Sequence, residues 1–334
     1  MEAADFSALT DSCNEFSMPR VKPNFDRPPH DPPPRWISAQ TLAALIAAGT
    51  DAHRVYSSTS AWIERFGDDL LLSYKDESAR DAVLADLPAW EAEHGRTHRR
   101  IFSKFIPLKN DERIAPVQIE GDAGLPLETV VNEAGMRFGL DFAAGYSAGL
   151  FIDQRANRAA VRRGHVRRLL NTFAYTCSFS VAAALAGAET LSIDLSKKSL
   201  DRGRANFALN GIDTASHRFL ADDVLDVLPR LARRGETFDA IILDPPTFSR
   251  GNQGRRFQVE RDFETLLQAA LEVAAPGARI LLSTNCTRLT RRELERIARF
   301  ALKFQRRAAD FHNETELPDV PREFGAQTLW LTLK

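Results

Sequence analysis

Hydrophobic and polar positions follow a regular pattern after about Leu150, where short apolar runs alternate with amphipathic helical segments. This alternation is typical of a parallel sheet with right-handed helical crossovers. It predicts five strands: Arg168–Thr172, Thr190–Asp194, His217–Leu220, Ala240–Asp244 and Arg279–Asn285. It also predicts four helices: Phe179–Ala186, Lys198–Leu209, Val224–Arg233 and Val259–Ala274. Asn210-Gly211 and Pro276-Gly277 are expected to end the second and the fourth of these helices.

The pattern before Leu150 is less regular. It predicts the helices Ala39–Ala48 and Ser78–His94 and the strands Leu70–Tyr74, Glu128–Asn132 and Met136–Asp141. Prolines crowd residues 19–34 and favour an extended segment, because proline sustains neither a helix nor a central strand. We therefore predict an extended arm over residues 1–35 and a small α+β domain over 36–149 that contacts RNA or another substrate. Residues 150–334 are predicted to form an α/β domain with a Rossmann-like, parallel-rich sheet.

Composition narrows the class of protein. The 334 residues are 44% apolar and 27% charged, no apolar run approaches the roughly 18 residues of a membrane helix, and residues 1–34 lack a secretory signal pattern. The cysteines, Cys13, Cys177 and Cys286, are far apart, and the histidines are scattered. We expect a cytoplasmic protein without membrane contact, disulfide framework or metal. The sequence does not predict an oligomeric state.

Polar residues follow the predicted parallel strands at the edge where such sheets bind ligands. The first strand leads into a polar loop, Asn171–Ser178, whose backbone N–H groups could meet a carboxylate. Asp194 lies 22 residues after Thr172, a spacing typical of an acidic residue that binds ribose hydroxyls. Capping of the following helix is the alternative role for Asp194. Asp222 follows the third strand and is placed for an adenine amino group, with Asp223 as a helix cap beside it.

The fourth predicted strand ends in Asp244-Pro245-Pro246-Thr247-Phe248-Ser249. Two prolines stiffen a loop at the ligand-binding edge and leave carbonyl groups free. Asp-Pro-Pro followed by an aromatic residue is typical of methyltransferases that act on nitrogen atoms of bases. A planar base can stack on Phe248 while acceptors on the rigid loop hold its edge. The alternative is that the prolines merely end a strand.

From about His53 to its C-terminus, the chain resembles the bacterial S-adenosylmethionine (SAM)-dependent 23S rRNA large-subunit methyltransferases, and most of all their guanine-N7 branch. The resemblance is carried by these segments: Gly149–Arg155, Asn171–Phe179, Asp194–Ser196, Asn206–Gly211, Asp244–Ser249 and Phe257–Asp262. One departure stands in the first loop, where the family normally has glycine and this chain has Cys177-Ser178.

The resemblance implies a role for each matching residue. Phe151, Asp153 and Gln154 would close over SAM, while Thr172, Phe173, Tyr175 and Thr176 would line its methionine end. Asp194 would bind the ribose and Asp222 the adenine. The catalytic wall would consist of Asp244, which also borders SAM, with Pro245, Pro246 and Phe248. Arg261 and Asp262 would lie near the substrate, which the family identifies as RNA, namely 23S rRNA or a large-subunit precursor.

The target atom depends on the residues after the fifth predicted strand. A sister branch makes 5-methylcytosine and needs a thiolate that adds to the pyrimidine, and Cys286 stands where that branch has its cysteine. Asn285 and Arg288 match the guanine-N7 branch instead. Guanine N7 already carries a free lone pair, so its methylation requires alignment rather than a nucleophilic residue. We expect guanine N7, with carbon-5 methylation through Cys286, or a buried structural role for this cysteine, as the alternatives.

The net charge of −1 argues against electrostatic binding of nucleic acid by the whole surface of the protein. Arginines are nevertheless clustered in residues 155–168 and 288–307. We expect Arg155, Arg158 and the rest of the first cluster to contact RNA phosphates, although both clusters could be solvated helix faces. Methylation of a small molecule or protein, and RNA binding without SAM, are the competing hypotheses for function.

Overall fold

The computed structural model describes residues 34–107, 114–251, 254 and 256–334. The predicted arm, residues 1–35, falls almost wholly outside this part of the chain. Among the described residues, no helix is both long enough and apolar enough to cross a membrane.

A six-stranded sheet with two helices forms the first region. The strands are β1 (Arg35–Trp36), β2 (Ala52–Ser57), β3 (Ala61–Phe66), β4 (Asp69–Tyr74), β5 (Arg100–Phe105) and β6 (Val117–Gly121), in this spatial order. The helices are α1 (Ala39–Ala47) and α2 (Glu77–His94). Neighbouring strands are antiparallel except β4 and β5, which α2 connects. Helix α2 begins where Asp76 accepts from the N–H of Ala79 and ends at Gly95, whose left-handed φ of 57° stops it.

A hairpin of β7 (Glu128–Glu133) and β8 (Met136–Asp141) joins this region to the second one. Its N–H group at Gly139 donates to Asn206 Oδ1 at 2.8 Å. Its carboxylate at Glu133 is buried and accepts from Arg158 Nε at 2.7 Å. The hairpin is therefore fixed to two helices of the second region by long-range polar contacts.

A seven-stranded sheet forms the second region. Its helices are α3 (Arg155–Arg163), α4 (Ser178–Ala184), α5 (Lys197–Leu209), α6 (Val224–Arg233), α7 (Val259–Glu272) and α8 (Arg291–Phe304). Its strands are β9 (Arg168–Thr172), β10 (Glu189–Asp194), β11 (His217–Ala221), β12 (Phe238–Leu243), β15 (Ala274–Thr284), β16 (Ala309–His312) and β17 (Gln327–Leu333). Between β12 and β15, a short hairpin of β13 (Phe248–Arg250) and β14 (Arg256–Gln258) projects from the sheet.

The order of this sheet is β11-β10-β9-β12-β15-β17-β16. The first five strands in that order are mutually parallel, and β17 is antiparallel to both of its neighbours. Buried residues of α6, α7 and α8 pack on the sheet in one apolar core, and those of α3 and α4 pack in another. The protein therefore has the predicted Rossmann-like α/β fold, preceded by a smaller α+β region.

The regular alternation located the central elements well. Each of the five predicted parallel strands overlaps an observed strand, and each of the four predicted helices overlaps an observed helix. The predicted stop at Pro276-Gly277 is wrong, because α7 already ends at Glu272. These two residues lie instead within β15, where the register with β12 shifts between Phe238 and Ala240. The pair therefore forms an irregularity in a strand rather than a helix end.

Candidate active site

The carboxyl ends of the parallel strands meet at the point where the strand order reverses, between β9 and β12. The loop after β9, Asp194 at the end of β10 and Asp244 after β12 all lie at this edge. Since ligands of such sheets bind at the switch point, this edge is the candidate active site.

The loop after β9 has an unusual backbone. Phe173, Tyr175 and Cys177 have φ values of 52°, 48° and 60°, in the left-handed region that favours glycine. Asp194 holds this loop, since one carboxylate oxygen accepts from Tyr175 N at 2.8 Å and the other from Ser196 N at 2.8 Å. Burial raises the pKa of Asp194, and these two backbone bonds lower it.

The alternative role of Asp194 as a helix cap is wrong, because Ser196 caps α5 by accepting from Ser199 N. Asp194 binds the loop and the turn before that helix, with its carboxylate partly exposed at the strand end. Each oxygen still has a lone pair beyond its backbone bond, so the group can also accept from hydroxyls.

Side chains of the β9 loop contribute mainly to its anchoring. The hydroxyls of Thr172 and Thr176 are buried and donate to Ile242 O and Gly149 O at 2.7 and 2.6 Å. The Tyr175 hydroxyl donates to Ser147 O at 2.7 Å. The hydroxyls of these two threonines therefore serve the protein's own carbonyls, so that any contact of Thr172 and Thr176 with a ligand falls to their backbone. The side chains of Phe173 and Tyr175 in this loop remain half-buried.

Cys177 occupies the loop position where glycine was expected, and its side chain is accommodated by a second residue. A Cβ atom added to Gly203 of α5 would lie 2.4 Å from Cys177 Sγ and 3.0 Å from its Cβ. The missing side chain of Gly203 therefore makes room for the thiol. Burial raises the pKa of Cys177 to about 12, so the group is a neutral packing element and the loop retains its left-handed turn.

Asp222 and Asp223 follow β11 in the predicted arrangement. Asp223 caps α6 by accepting from Leu225 N at 2.9 Å, which confirms its predicted role. Asp222 accepts from Asp223 N at 2.8 Å and forms an ion pair with Arg230. The backbone of Asp222 also donates to Asp194 O at 3.1 Å. This bond ties the ends of β10 and β11 together.

The loop after β12 begins with the half-buried Asp244 and leads to the exposed Phe248. Phe248 opens the β13–β14 hairpin and is 51% exposed. Burial raises the pKa of the Asp244 carboxyl to about 6. The Ser283 side chain lowers this pKa, the charge of Asp153 raises it and that of Arg158 lowers it. The loop therefore combines a carboxyl group whose pKa is raised by burial with an accessible aromatic face.

The segment expected to close over SAM is only partly exposed. Phe151 is 44% exposed, and its ring centroid lies 5.6 Å from that of Tyr175. Asp153 accepts from Ala326 N at 3.0 Å, and burial raises its pKa. Gln154 is buried and bonds to Ser283 and Asn157. Phe151 keeps a surface for a ligand, whereas the expectation for Gln154 is corrected because its amide binds protein partners.

Arg155 and Arg158 do not face RNA, contrary to the expectation from the basic cluster. Both side chains are buried. Arg155 forms an ion pair with Asp319 and donates to Ala52 O, while Arg158 pairs with Glu133. Buried guanidinium groups persist when they are paired in this way. These two residues therefore connect the hairpin, β2 and α3, and their burial is the physical reason that the RNA-contact expectation fails.

Residues at the start of α7 form a second polar group near the site. Asp262 accepts from Gln258 N at 2.7 Å, and Arg261 donates to Asp262 and to Arg256 O at 2.8 Å each. These bonds fix the β14 strand to the helix, and the Arg261 side chain is still 63% exposed. The pair can therefore support the hairpin and meet a substrate at the same time.

Cys286 follows β15 and is buried, with its thiol 3.4 Å from Glu260 Oε1. Burial raises its pKa, as do the hydrogen bond and the charge of Glu260. Arg288 pairs with the same carboxylate at 3.2 Å and is exposed, as is Asn285. The thiol is therefore held in its neutral form beside a carboxylate, while the two polar residues face solvent.

Sequence patterns did not single out three buried or closely packed residues that hold neighbouring elements together: Asn157, Gly203 and Trp330. Trp330 bonds Asn157 across 173 positions of the sequence, and Gly203 packs against Cys177 across 26. A local motif cannot report such contacts. Only the glycine within an otherwise helical segment gave a hint, because glycine weakens a helix by about 1 kcal/mol relative to alanine and so suggests a packing requirement.

A family model described as S-adenosylmethionine-dependent methyltransferase matches residues 77–332. Ribosomal RNA large subunit methyltransferase I of Erwinia tasmaniensis is 32% identical over 272 residues, which cover 78% of this chain and 67% of that protein. Ribosomal RNA large subunit methyltransferase K/L of Psychrobacter sp. is 42% identical over 166 residues, covering 48% of this chain and 20% of that protein. The chain thus spans about two thirds of the first relative and a fifth of the second.

A solved structure has a similar fold. The crystal structure of SMU.776, assigned as a methyltransferase and complexed with SAH, is 26% identical and superposes with a TM-score of 0.75. The match covers 89% of this chain and 79% of that one. It therefore includes both the first region and the sheet that carries the candidate site.

Proposed function

Since the chain belongs to the family of S-adenosylmethionine-dependent methyltransferases, we propose that it methylates a base of large-subunit ribosomal RNA, with guanine N7 as the target atom. Membership of this family gives the reaction, methyl transfer, and the cofactor, SAM. The substrate and the atom are inferred from the site and from the names of the relatives. Such a substrate would be met in the cytoplasm.

The donors and acceptors at the β9–β12 edge fit SAM. Asp194 has lone pairs that would accept from the ribose hydroxyls, and Asp222 would accept from the adenine amino group. Leu195, 38% exposed beside Asp194, and Phe151 supply apolar surface. The backbone of the loop around Phe173 to Thr176 would meet the methionine end, and Asp153 would support the Phe151 segment from behind. When bound, SAM supplies an electrophilic methyl group on a positively charged sulfur.

The observation that carries the proposal is the loop from Asp244 to Phe248. The prolines Pro245 and Pro246 hold it rigid at the switch point, and Phe248 presents half of its surface to solvent. A flipped or single-stranded base can stack on such a ring. Asp244 can accept an N–H of that base and so fix its rotation on the ring. A loop of this kind orients a planar heterocycle.

The state of Cys286 favours a target atom that needs no enzyme nucleophile. A thiol adds to carbon 6 of cytosine only as the thiolate. Here burial and the neighbouring Glu260 carboxylate both raise the thiol pKa. Guanine N7 has its own lone pair, so alignment by Asp244 and Phe248 would suffice.

RNA contact is proposed for the exposed cations around the hairpin. Arg261 and Arg288 are each 63% exposed, and Asp262 and Glu260 hold them in place. Asn285 lies exposed beside them. A few cations with an aromatic ring beside them form the usual combination for unpaired RNA. The near-zero net charge is compatible with such a local contact.

The test is mass spectrometry of nucleosides from 23S rRNA of a deletion strain and its parent. Loss of one 7-methylguanosine, restored by a plasmid copy, is the expected result. Loss of one 5-methylcytidine would overturn the N7 assignment and make Cys286 the nucleophile. If no base modification changed, the ribosomal substrate would be wrong.

A small-molecule or protein substrate is the competing function, and salt separates it from RNA. Binding to RNA weakens steeply with salt because counterions are released from the phosphates. With purified protein and precursor RNA, we expect methyl transfer below saturation to fall about 7- to 18-fold between about 50 and 200 mM salt, as expected for two or three phosphate contacts. A salt-independent rate would favour the competing substrates.

A further inference from the structure

Helix α8 carries four cations at spacings of four, three and four residues, which places them on one side of the helix. They are Arg292, Arg296, Arg299 and Lys303, and all four are exposed. Because a helix rises 1.5 Å per residue, the row is about 16 Å long. We refer to this row, together with the neighbouring Phe300 and Phe304, as the α8 face.

The two phenylalanines of the α8 face are exposed beside the cations. Phe300 and Phe304 are four residues apart, so they are neighbours on the helix surface, and they are 46% and 69% exposed. Among the described residues, Phe304 is the most exposed large apolar side chain. The packing side of α8 is complete without them, since Leu294, Ile297 and Leu302 are buried in the core. Both rings are therefore accessible to a partner.

The positive charge of the α8 face is only partly balanced. Glu293 and Glu295 each pair with one arginine of the row, at 2.9 and 2.6 Å. The other two members, Arg292 and Lys303, have no ion-pair partner in the described part of the chain. Arg306, in the turn after α8, is a further exposed cation. Two carboxylates against five cations leave three positive charges unbalanced, although the net charge of the protein is −1.

The α8 face begins close to the candidate active site. Arg288, exposed beside Glu260, precedes by two residues Thr290, which caps α8 by accepting from Glu293 N. Helix α8 then connects β15 to β16, which are parallel because each is antiparallel to β17. It must therefore run from the carboxyl edge of the sheet back to the amino edge, with Phe304 at its far end. A strand bound at Arg288 could continue along α8.

The chemistry of the α8 face fits unpaired RNA. A row of cations can follow a phosphate backbone, and exposed rings beside it can stack on bases of any sequence. A second copy of this chain fits poorly, because a two-fold interface through this face would place the cations against themselves. A lipid surface also fits poorly, because a helix that lies in a bilayer must insert its apolar side, and that side of α8 is buried.

We propose that the α8 face binds an unpaired segment of the RNA substrate outside the target base, with phosphates on the cations and bases on Phe300 and Phe304. The face contributes to RNA affinity rather than to methyl transfer itself, because it extends away from the candidate active site. This inference rests on the proposed function for the identity of the RNA. Its own content is the place and the chemistry of the contact.

The first experiment measures binding of a fluorescent oligouridylate of about 12 nucleotides, within the roughly 4–16 that such surfaces hold. Arg292→Gln combined with Lys303→Gln removes two phosphate contacts. Binding should weaken about 25-fold at about 0.1 M salt, and the slope of log affinity against log salt should fall by about 1.4. Arg233→Gln combined with Arg234→Gln is the matched control, since it removes two exposed arginines at the end of α6. It should change affinity and slope little.

The second experiment tests the rings. Phe304→Leu retains an apolar side chain without a ring, whereas Phe304→Tyr retains the ring. Stacking on a base predicts that the leucine variant binds the oligouridylate about fivefold or more weakly, and that the tyrosine variant binds it like the wild type. Equal binding by both variants would overturn the role of the ring. These side chains are exposed, so unfolding by urea should be unchanged in every variant.

Methyl transfer to precursor RNA provides a further readout. In the variant with Arg292→Gln and Lys303→Gln, KM for RNA should rise and kcat should stay near that of the wild type. The two contacts on α8 should also add about another sevenfold to the loss of methyl transfer that the hairpin cations alone cause between about 50 and 200 mM salt. A loss in kcat with unchanged KM would overturn the role in affinity.

The outcomes separate this inference from the proposed function. Unchanged binding of the oligouridylate in the α8 variants would overturn the α8 face as an RNA contact, even if ribosomal RNA were methylated. Weakened binding in a protein that methylates no RNA would overturn the proposed substrate and leave the α8 face as an RNA-binding surface. Vesicles of phosphatidylcholine and phosphatidylserine in equal parts are the remaining probe. Binding to vesicles but not to the oligouridylate would overturn the inference in favour of a membrane surface.

Discussion

Asp194 and Asp244 end the two strands that flank β9, and the protein holds them in different ways. Burial raises the pKa of both carboxyls. Asp194 accepts from two backbone N–H groups, of Tyr175 and Ser196, 19 and 2 residues away in the sequence. The pKa of Asp244 depends on side chains instead, because the charge of Asp153 raises it, whereas the Ser283 side chain and the charge of Arg158 lower it.

This difference suggests that the two carboxylates have different functions. A carboxylate held by backbone amides is fixed by the loop itself, which suits the repeated binding of one cofactor. A carboxylate whose charge depends on neighbouring side chains can be adjusted by substitution at several positions, which suits the selection of a substrate. We expect damage at Asp194 to change cofactor affinity and damage at Asp244 to change the rate.

The largest effect is expected from Asp244→Ala, which removes the acceptor that orients the base. Methyl transfer to RNA should fall at least about 10²-fold, the size of effect seen when one preorganised polar contact to a reacting group is lost. The dissociation constant of SAM, measured by calorimetry, should change much less. An intact rate with Asp244→Ala would mean that the site is wrongly assigned.

A smaller and different effect is expected from Asp194→Ala. Loss of hydrogen bonds to a charged group costs about 1.5–3 kcal/mol, so SAM should bind about 10- to 100-fold more weakly. The rate at saturating SAM should stay near that of the wild type. Asp213→Ala is the control, because Asp213 also accepts from the backbone two residues on, at Ala215, but at the opposite end of β11. Equal SAM affinity in both variants would contradict the role of Asp194.

The next effect tests whether the loop held by Asp194 depends on the fit between Cys177 and Gly203. Gly203→Ala places a methyl group where the thiol lies, and such overpacking costs about 1–3 kcal/mol in the free energy of unfolding. Urea denaturation measures this loss. Cys177→Gly in the same chain should restore most of it, whereas simple additivity of the two changes would show that the residues do not compete for space.

The smallest expected effect distinguishes contacts to the RNA phosphates from contacts to the target base. Arg288→Gln should weaken RNA binding by up to about 1 kcal/mol and lower the salt slope by about one, as expected for one phosphate contact. The rate at saturating RNA should be retained. Arg234→Gln, an exposed arginine just after α6 and at the other end of the sheet, is the control. A loss of the same size in both variants would indicate unspecific attraction.

Much of the α/β region could be predicted because its signals are local. Apolar runs such as Ala240 to Leu243 and the stop at Asn210-Gly211 report on their own neighbourhood, and the structure has them as predicted. Strand β2 was missed because its sequence includes His53 and Arg54, which break the apolar pattern. The structure buries both, since Asp319 accepts from Arg54 N and Glu64 pairs with its guanidinium.

In the candidate site, too, only features with local signals could be predicted. Strand ends identified Asp194, Asp223 and Asp244, because a parallel sheet gathers its carboxyl ends at one edge. Arg158 was misjudged because its partner Glu133 is 25 residues away, and charge clusters alone predict a solvated or ligand-binding surface. The contact between Trp330 and Asn157 joins residues 173 positions apart, which no local pattern reveals.

The placement of tryptophan has an optical consequence. Of the four tryptophans in the chain, Trp330 alone belongs to residues 150–334. Trp36 and Trp90 stack on each other in the first region at 5.3 Å, and Trp62 lies on β3. If these three are replaced by phenylalanine, the remaining fluorescence comes from an indole that is 1% exposed and bonded to Asn157. Its emission would report unfolding of the second region and any rearrangement around Asn157 without an added label.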